Sequence, residues 1–441
     1  MQKKINYLSL FLTYCLPLAL ITGPAIPDII IVLISIMFLI NSYINKDYSW
    51  INLYYSKFFI IFWLSLILIS FFSYNKYNSF TDSIIFIRFY LFAIAISYWL
   101  INDIKKLKIL IFITFLSLIV LVIDAFFQFI TYSTEFGYGK SFFGFESFTY
   151  GRMTGPFNDE IIGAHISKIF FLCLFLLLYF YNKNIKTNLI ILTIYITSFI
   201  AIFLSGERMA LATFLLGIFL FIIFIKERKF LIIFGTIFSV IFILLITIFH
   251  KSFNDYEIIS SKPCHLCQKI EKKYECDQKI EGCFKIIEMQ PDFYTVIKNF
   301  DKSIYYSIYS SAINIWKDNF VFGIGINNFE IYCKKNKQYQ NMMINYGNCA
   351  PHPHNFYIQW LTESGLIGFI LFIVFVISLF YNSLQSFHSL SSKISFINLS
   401  IIFWPLMSTG SLLKNHHGIT TFFVISVCLI LSNMKYERKD I

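Results

Sequence analysis

Long uncharged runs recur along most of the chain, and they limit its fold more than any other feature. About twelve of these runs are long enough to cross a hydrocarbon core of ~30 Å as a helix. Of the 441 residues, 57% are apolar or aromatic and only 14% are charged, so no soluble core of ordinary composition is left over. The sequence therefore predicts an all-α integral membrane protein with about 12 transmembrane helices. The predicted spans are 7–22, 27–41, 58–73, 82–100, 108–131, 161–181, 188–204, 209–225, 230–249, 356–381, 394–412 and 418–433.

Lysine and arginine are distributed unequally between alternate connections of these spans. If the N-terminus is cytoplasmic, sixteen of them lie in inner segments and five in the short outer segments. Because positive residues collect on the cytoplasmic side, both termini are predicted to be cytoplasmic. The first run follows Met-Gln-Lys-Lys without a small-x-small cleavage site, which predicts an uncleaved first helix.

The chain is predicted to have three parts. Residues 1–249 hold the first nine helices, residues 250–355 form one large outer loop domain, and residues 356–441 hold the last three helices and a cytoplasmic tail. The loop carries 13 lysines and arginines against 11 acidic residues, and this near balance argues against a nucleic-acid-binding surface.

An apolar stripe in the loop predicts a helix with one buried face. Its residues stand at spacings of helical turns: Tyr305, Tyr309, Ala312, Ile313 and Trp316. Such a helix either packs on its own loop domain or lies along the membrane surface as a lid, and the sequence favours neither.

Six of the nine cysteines lie in this loop: Cys264, Cys267, Cys276, Cys283, Cys333 and Cys349. An even number on the outer side predicts disulfides in an oxidising compartment such as a periplasm. Zinc binding by Cys264-x-x-Cys267 with Cys276 and Cys283 is the alternative, but a second CxxC is missing. Cys333–Cys349 is the preferred pair, because both residues shortly precede the tenth span and bracket a polar insert.

Three short polar clusters interrupt the apolar pattern on the predicted outer face. The first begins at Arg152 and runs to Glu160, where Gly155-Pro156 predicts a turn. Asn158 or Asp159 is a candidate cap for the sixth helix. The simplest alternative function of this cluster is a capped turn with a solvated arginine.

The second cluster, Ser205-Gly206-Glu207-Arg208, is a tight turn between two spans. Arginine binds phosphate through two parallel N–H bonds that lysine cannot imitate, so Arg208 is a candidate phosphate ligand. An arginine that snorkels to lipid headgroups is the alternative.

The third cluster, residues 351–355, precedes the tenth span and contains His352 and His354. Two prolines are expected to hold it extended, with the two imidazoles pointing in different directions. Asn355 is a plausible N-cap, and the N–H groups of that helix terminus would attract an anion. The histidines are candidates for a general base or for metal ligands, although two without a third ligand make a weak metal site; a rigid entry turn with interfacial histidines is the alternative.

These clusters, in order and spacing, resemble the bacterial O-antigen ligase and polymerase superfamily of polytopic, GT-C-like glycan transferases. The segments that carry the resemblance cover about half the chain: 152–160, 204–208, 316–325 with Asn328-Phe329, and 352–368, whose His-Asn block followed by Glu-x-Gly-x-x-Gly is the most specific. The resemblance implies inverting, metal-independent transfer of a glycan from undecaprenyl diphosphate onto an acceptor, at the periplasmic face of a bacterial inner membrane and without a cofactor.

The resemblance also implies roles for individual residues. Arg152 and Arg208 would hold the diphosphate, and His354, supported by His352, would serve the acceptor hydroxyl as base. Four residues would support them: Asp159, Glu160, Glu207 and Asn355. Glu207 and Glu160 are rival bases, although a neighbouring arginine or helix terminus is expected to keep each weak.

The sequence departs from the family where members often carry a loop arginine. Ser311, Ala312 and Glu330 occupy those places, and Lys317 or Lys334 would be a weaker substitute.

Ligation of O-antigen to lipid A–core is the leading function, and the implied partners are the lipid-linked donor, the acceptor glycan and membrane lipids. Polymerisation and transfer onto protein Ser or Thr remain open. A transporter, which would place paired charges at mid-membrane, is less favoured. Arg88 and Asp124 are the main charges within the spans, and Arg88 is also within reach of the outer half of the membrane.

Overall fold

The structure, a computed structural model, describes residues 2–132, 137–146, 152–157, 160–250, 256–260, 274–277, 282–286, 297–340, 348–406 and 410–434. Its helices are α1 (Gln2–Ala19), α2 (Ala25–Asn45), α3 (Tyr54–Ser70), α4 (Lys76–Ile94), α5 (Ile104–Ile130), α6 (Ile162–Tyr179), α7 (Ile185–Leu204), α8 (Arg208–Phe224), α9 (Lys229–Phe249), α10 (Ile304–Asp318), α11 (Phe329–Lys335), α12 (Phe356–Gln385), α13 (Leu390–Ile402) and α14 (Asn415–Asn433).

Within these ranges, nine helices are long and apolar enough to cross a membrane. Three more apolar helices, α3, α8 and α13, are shorter. The twelve together match the twelve predicted spans in position. The multi-pass helical class is therefore confirmed, while the number of helices that cross stays a prediction.

One predicted span is too long. The eleventh was expected to reach residue 412, but α13 ends at Ile402. Pro405 follows three residues later, and its ring and missing N–H prevent the helix from continuing.

The chain forms two compact units. One comprises Met1–Thr114, Phe171–Phe180 and Phe293–Ile441, and the other comprises Phe115–Phe170 and Tyr181–Asp292. They are called the histidine unit and the arginine unit below, after the candidate residues that each contains. The predicted loop domain is thus shared between the two, and the predicted domain boundaries stay a prediction.

Aromatic rings fill the core of the histidine unit. Phe59 of α3 stacks on Tyr90 of α4 with ring centroids 4.0 Å apart. Phe62 meets the buried Trp360 of α12 edge-on at 5.2 Å. Phe86 contacts both Trp360 and Phe422 of α14. This packing fixes the N-terminal part of α12 against α3, α4 and α14.

The arginine unit contains α7, α8, α9 and a small sheet. Tyr195 of α7 bonds Thr236 of α9 at 2.7 Å, and Phe170 of α6 meets Phe214 of α8 edge-on at 5.1 Å. The sheet is antiparallel in the order β1 (Tyr256–Ser260), β3 (Gly282–Ile286), β2 (Tyr274–Asp277). The all-α prediction did not include this sheet in the loop.

The loop helix α10 buries a face centred on Ile308, Ala312 and Ile315. This face packs against Phe329 and the Cys333–Cys349 pair. The buried face is rotated from the predicted stripe, of which Ala312 alone is fully buried. Of the two predicted arrangements, the structure supports packing on the loop domain.

Candidate functional site

The first two polar clusters form one site in the arginine unit. The backbone N–H of Met153 donates to Ser205 O at 3.3 Å, and the N–H of Ile162, the first residue of α6, donates to Met153 O at 3.0 Å. The guanidinium of Arg152 donates to the carbonyl oxygen of Gly206. Arg152 is therefore attached to the turn that carries Glu207 and Arg208.

A glycine turn shapes the segment after Arg152, as predicted. Gly155 has φ +58°, and Phe157 N donates to Thr154 O at 3.1 Å. The N–H of Gly155 also donates to Gln128 Oε1 of α5 at 2.9 Å. A Cβ at this position would lie 2.4 Å from Cδ1 of Ile162, and the positive φ disfavours residues that carry a side chain.

Of the last three residues of this cluster, 158–160, the structure describes Glu160 alone. Glu160 is exposed at the start of α6. Asn158 and Asp159 lie outside the described residues, so their capping role stays a prediction.

Glu207 is a stronger base than the sequence suggested. Burial raises its pKa to about 7, and the nearby charge of Glu160 adds to this effect. Lys168 and Arg152 lower the pKa but do not offset burial. The expectation that a neighbouring arginine keeps Glu207 a weak base is therefore wrong. Sequence reasoning missed Lys168, although a lysine inside the sixth apolar span was a visible signal.

Arg208 begins α8 in this site. Its Nε is buried and has no hydrogen-bond partner among the described residues, and the same is true of Glu207 Oε2. An unpaired buried donor costs about 1–3 kcal/mol. A bound anion would remove that cost for Arg208.

In the histidine unit, His354 contacts α10 through two tyrosines. Its ring meets Tyr305 edge-on at 5.9 Å, and its carbonyl oxygen accepts from the Tyr309 hydroxyl at 3.5 Å. The ring of His352 lies 4.3 Å from that of His354, so the expectation that the two imidazoles point apart is wrong. The backbone of His354 is left-handed, with φ 53°. Burial lowers the pKa of His354 from its ordinary value.

Asn355 caps α12, as predicted. Its Oδ1 accepts from Tyr357 N at 2.9 Å and from Ile358 N at 3.1 Å, and its Nδ2 donates to Pro405 O at 2.9 Å. The N–H groups of Tyr357 and Ile358 are therefore used within the chain, and these two groups of the helix terminus do not face an anion as expected.

The predicted Cys333–Cys349 disulfide is confirmed. Its Cα atoms are 5.4 Å apart. The bridge links Cys333 of α11 to Cys349, which lies three residues before His352. Cys264 and Cys267 lie outside the described residues, as do the side chains of Cys276 and Cys283. The bridging of these four cysteines stays a prediction.

Of the two substitutes for a loop arginine and the two charges within spans, three have partners in the described part of the chain. Lys334 pairs with Glu330 at 2.5 Å, and Lys317 is exposed. Arg88 pairs with Asp28 at 3.1 Å and donates to Asn415 Oδ1 at 2.7 Å. Asp124 accepts from Phe142 N.

Comparison with known proteins supports the resemblance. The family model described as O-antigen ligase matches residues 193–373. This range contains the 205–208 turn, the large loop and the His-Asn block, whereas Arg152 precedes it. No curated protein matches the chain. The match thus confirms the resemblance to the O-antigen ligase-like superfamily over these residues.

Proposed function

We propose that this chain, whose residues 193–373 match the O-antigen ligase family, transfers a glycan from undecaprenyl diphosphate to a sugar hydroxyl of lipid A–core. The transfer inverts the anomeric centre, needs no metal ion and takes place at the periplasmic face of a bacterial inner membrane. The attachment of Arg152 to the turn that carries Arg208 is the observation that carries the proposal.

The two arginines act on the leaving group. Diphosphate accumulates negative charge as the glycosidic bond breaks, and fixed guanidinium groups stabilise that charge without a general acid. The buried, unpaired Nε of Arg208 supports this role, because a phosphate oxygen is a suitable acceptor for it.

The acceptor hydroxyl needs a base, and His354 takes that role. Its lowered pKa keeps the imidazole neutral near pH 7, so that it accepts a proton as the hydroxyl attacks. His352, in ring contact with His354, supports its orientation. Glu207 is the rival base, because burial raises its pKa to about 7 and makes it a stronger base than an ordinary carboxylate.

The acceptor distinguishes ligation from the alternatives, and a deletion strain tests it. Loss of a ligase leaves bare lipid A–core on a gel of surface lipopolysaccharide, with glycan stranded on the carrier. Loss of a polymerase leaves core bearing one repeat unit, and loss of a protein glycosyltransferase leaves lipopolysaccharide unchanged. We expect bare core, restored by the wild-type gene but not by its Arg208→Ala variant.

A further inference from the structure

Helix α12 is interrupted nine residues after its start. Gly365 has φ 64° and ψ −168°, which is not helical. In an unbroken helix, Leu366 N would donate to Thr362 O, and Ile367 N would donate to Glu363 O. The break leaves these four backbone groups without their helical partners.

One loop segment bonds all four groups. This segment, residues 320–329, joins α10 to α11 and is called the interlock below. Ile324 N donates to Thr362 O at 3.1 Å, and Gly325 N donates to Glu363 O at 2.9 Å. In the other direction, the N–H groups of Leu366 and Ile367 donate to the oxygens of Phe320 and Val321 at 3.0 and 3.4 Å.

The fit depends on glycine in both partners. A Cβ on Gly323 would lie 2.6 Å from the backbone of Glu363, and one on Gly365 would lie 2.2 Å from Val321 O. Both residues also have positive φ, which glycine adopts without strain. The Gly-x-Gly of the loop and the Glu-x-Gly of α12 are therefore two halves of one contact.

The side chain of Glu363 secures the other end of the interlock. It is fully buried, and its Oε2 accepts from Asn327 N at 3.0 Å and from Gln359 Nε2 at 3.1 Å. Its Oε1 accepts from Phe329 N at 3.5 Å. A carboxylate buried in a membrane helix is costly, and here three donors offset the cost.

The interlock connects directly to the surroundings of His354. The interlock begins two residues after the end of α10, and Tyr305 of α10 contacts the His354 ring. In addition, Thr362 Oγ1 of α12 donates to Ala312 O of α10 at 3.1 Å. The last residue of the interlock begins α11, where Cys333 is bridged to Cys349, three residues before His352.

We propose that Glu363 is a positioning residue that holds the interlock in the break of α12, so that α10 and His352 are kept against His354. This inference rests on the proposed function only in taking His354 as the base. Glu363 itself touches no substrate and acts through the backbone that it binds.

The test compares purified Glu363→Gln with wild type and with Glu330→Gln. Glu330 is the matched control, because it lies on the same loop but forms an exposed pair with Lys334. In Glu363→Gln an amide N–H faces backbone donors. We expect kcat to fall about tenfold or more, because small misplacements of a reacting group are costly, while KM for the donor changes less than about twofold. Glu330→Gln should change neither constant.

A second measurement does not need activity. Diethyl pyrocarbonate ethoxycarbonylates accessible histidines, and mass spectrometry of the peptide containing His352 and His354 gives the rate. We expect faster modification in Glu363→Gln than in wild type or in Glu330→Gln. Thr362→Val, which removes the hydroxyl bonds to Ala312 O and to Ile358 O, should show a smaller effect of the same kind and decides the question if Glu363→Gln does not accumulate.

The outcomes separate this proposal from the proposed function. Unchanged histidine reactivity in the variants overturns the positioning role, as does a fall in kcat matched by an equal rise in donor KM. A wild-type protein that transfers no glycan overturns the proposed function, whereas altered reactivity in Glu363→Gln would still support the positioning role.

Discussion

At Arg208 the geometry of the side chain matters more than its charge. Lysine would keep the charge but lose the paired N–H groups that bind two phosphate oxygens. We expect Arg208→Lys to lower transfer on the order of 10²-fold, a loss typical of removing one donor to a developing oxyanion. The assay uses purified protein with a defined lipid-linked donor.

Arg228→Lys is the control for this substitution, because Arg228 bonds the backbone oxygens of Tyr181 and Asn182 rather than belonging to the candidate site. It should transfer at nearly the wild-type rate. Equal rates for the two variants would make Arg208 a lipid anchor instead of a diphosphate ligand.

The pH dependence of kcat/KM distinguishes the two candidate bases. A base is inactive when protonated, so the rate rises as pH increases through its pKa. For His354, with a pKa lowered from 6.5, the limb should have its midpoint below pH 6.5, and it should vanish in His354→Ala. For Glu207, with a pKa of about 7, the midpoint should lie near pH 7.

We expect the limb of His354. This limb should survive in Glu207→Gln and in His352→Ala. His352→Ala should lower the rate of transfer less than His354→Ala does, because His352 supports the base and does not itself accept the proton. A midpoint near 7 that disappears in Glu207→Gln would move the base to Glu207. Using kcat/KM reports the free enzyme, so the charge of bound diphosphate does not displace the limb.

Sequence reasoning selected the arginines and histidines as candidates because charge and imidazole are conspicuous at the ends of apolar runs. It missed what depends on tertiary contact. The raised pKa of Glu207 comes from burial, which the short Ser-Gly-Glu-Arg motif does not reveal. The rings of His352 and His354 are in contact and the backbone of His354 is left-handed, although the flanking prolines favoured an extended segment.

At the scale of elements, Gly365 should be among the least replaceable residues of α12. Alanine there would adopt an unfavourable φ and would also meet Val321 O, at a combined cost of roughly 3 kcal/mol. Gly23→Ala is the control, because Gly23 also has positive φ but has nothing within 4 Å of its would-be Cβ. In detergent, Gly365→Ala should unfold at a clearly lower temperature than Gly23→Ala. Similar unfolding temperatures would mean that the interlock adds little stability.

The helices themselves were predictable, since an apolar run of sufficient length has few alternatives in a membrane. The break in α12 was not. The predicted span 356–381 ran through Thr362–Gly368 without a break, and the partner that accommodates the break is the backbone of residues 320–325, some forty positions earlier. Hydropathy also extended the eleventh span past Pro405, whereas the helix itself ends at Ile402 because proline cannot continue it.

At the scale of the whole molecule, hydropathy divided the chain into spans and a loop, whereas contacts divide it into two units. Residues from 293 onwards join the N-terminal helices because the loop is bonded to them. Tyr74 N donates to Ile324 O at 2.9 Å, and Ser79 Oγ donates to Ile326 O at 3.0 Å. Such long-range bonds leave no periodic signal in a single sequence.

The orientation of the whole chain rests on the sixteen-to-five excess of positive residues in the predicted inner segments. It determines which compartment meets the candidate site, so it is tested with two exposed lysines on opposite predicted sides. Lys317 ends α10 in the large loop, and Lys186 lies in the first turn of α7. Each is changed to cysteine in a Cys15→Ser background, since Cys173 and Cys428 are buried.

In intact cells, a membrane-impermeant maleimide should label Lys317→Cys above the background of the parent protein. Lys186→Cys should be labelled only after the inner membrane is permeabilised. The disulfide already favours this orientation, because Cys333 and Cys349 precede α12 on the same side as Lys317 and bridges form in oxidising compartments. The reverse labelling pattern would place the histidines in the cytoplasm, where thiols are kept reduced, and would exclude a periplasmic transfer.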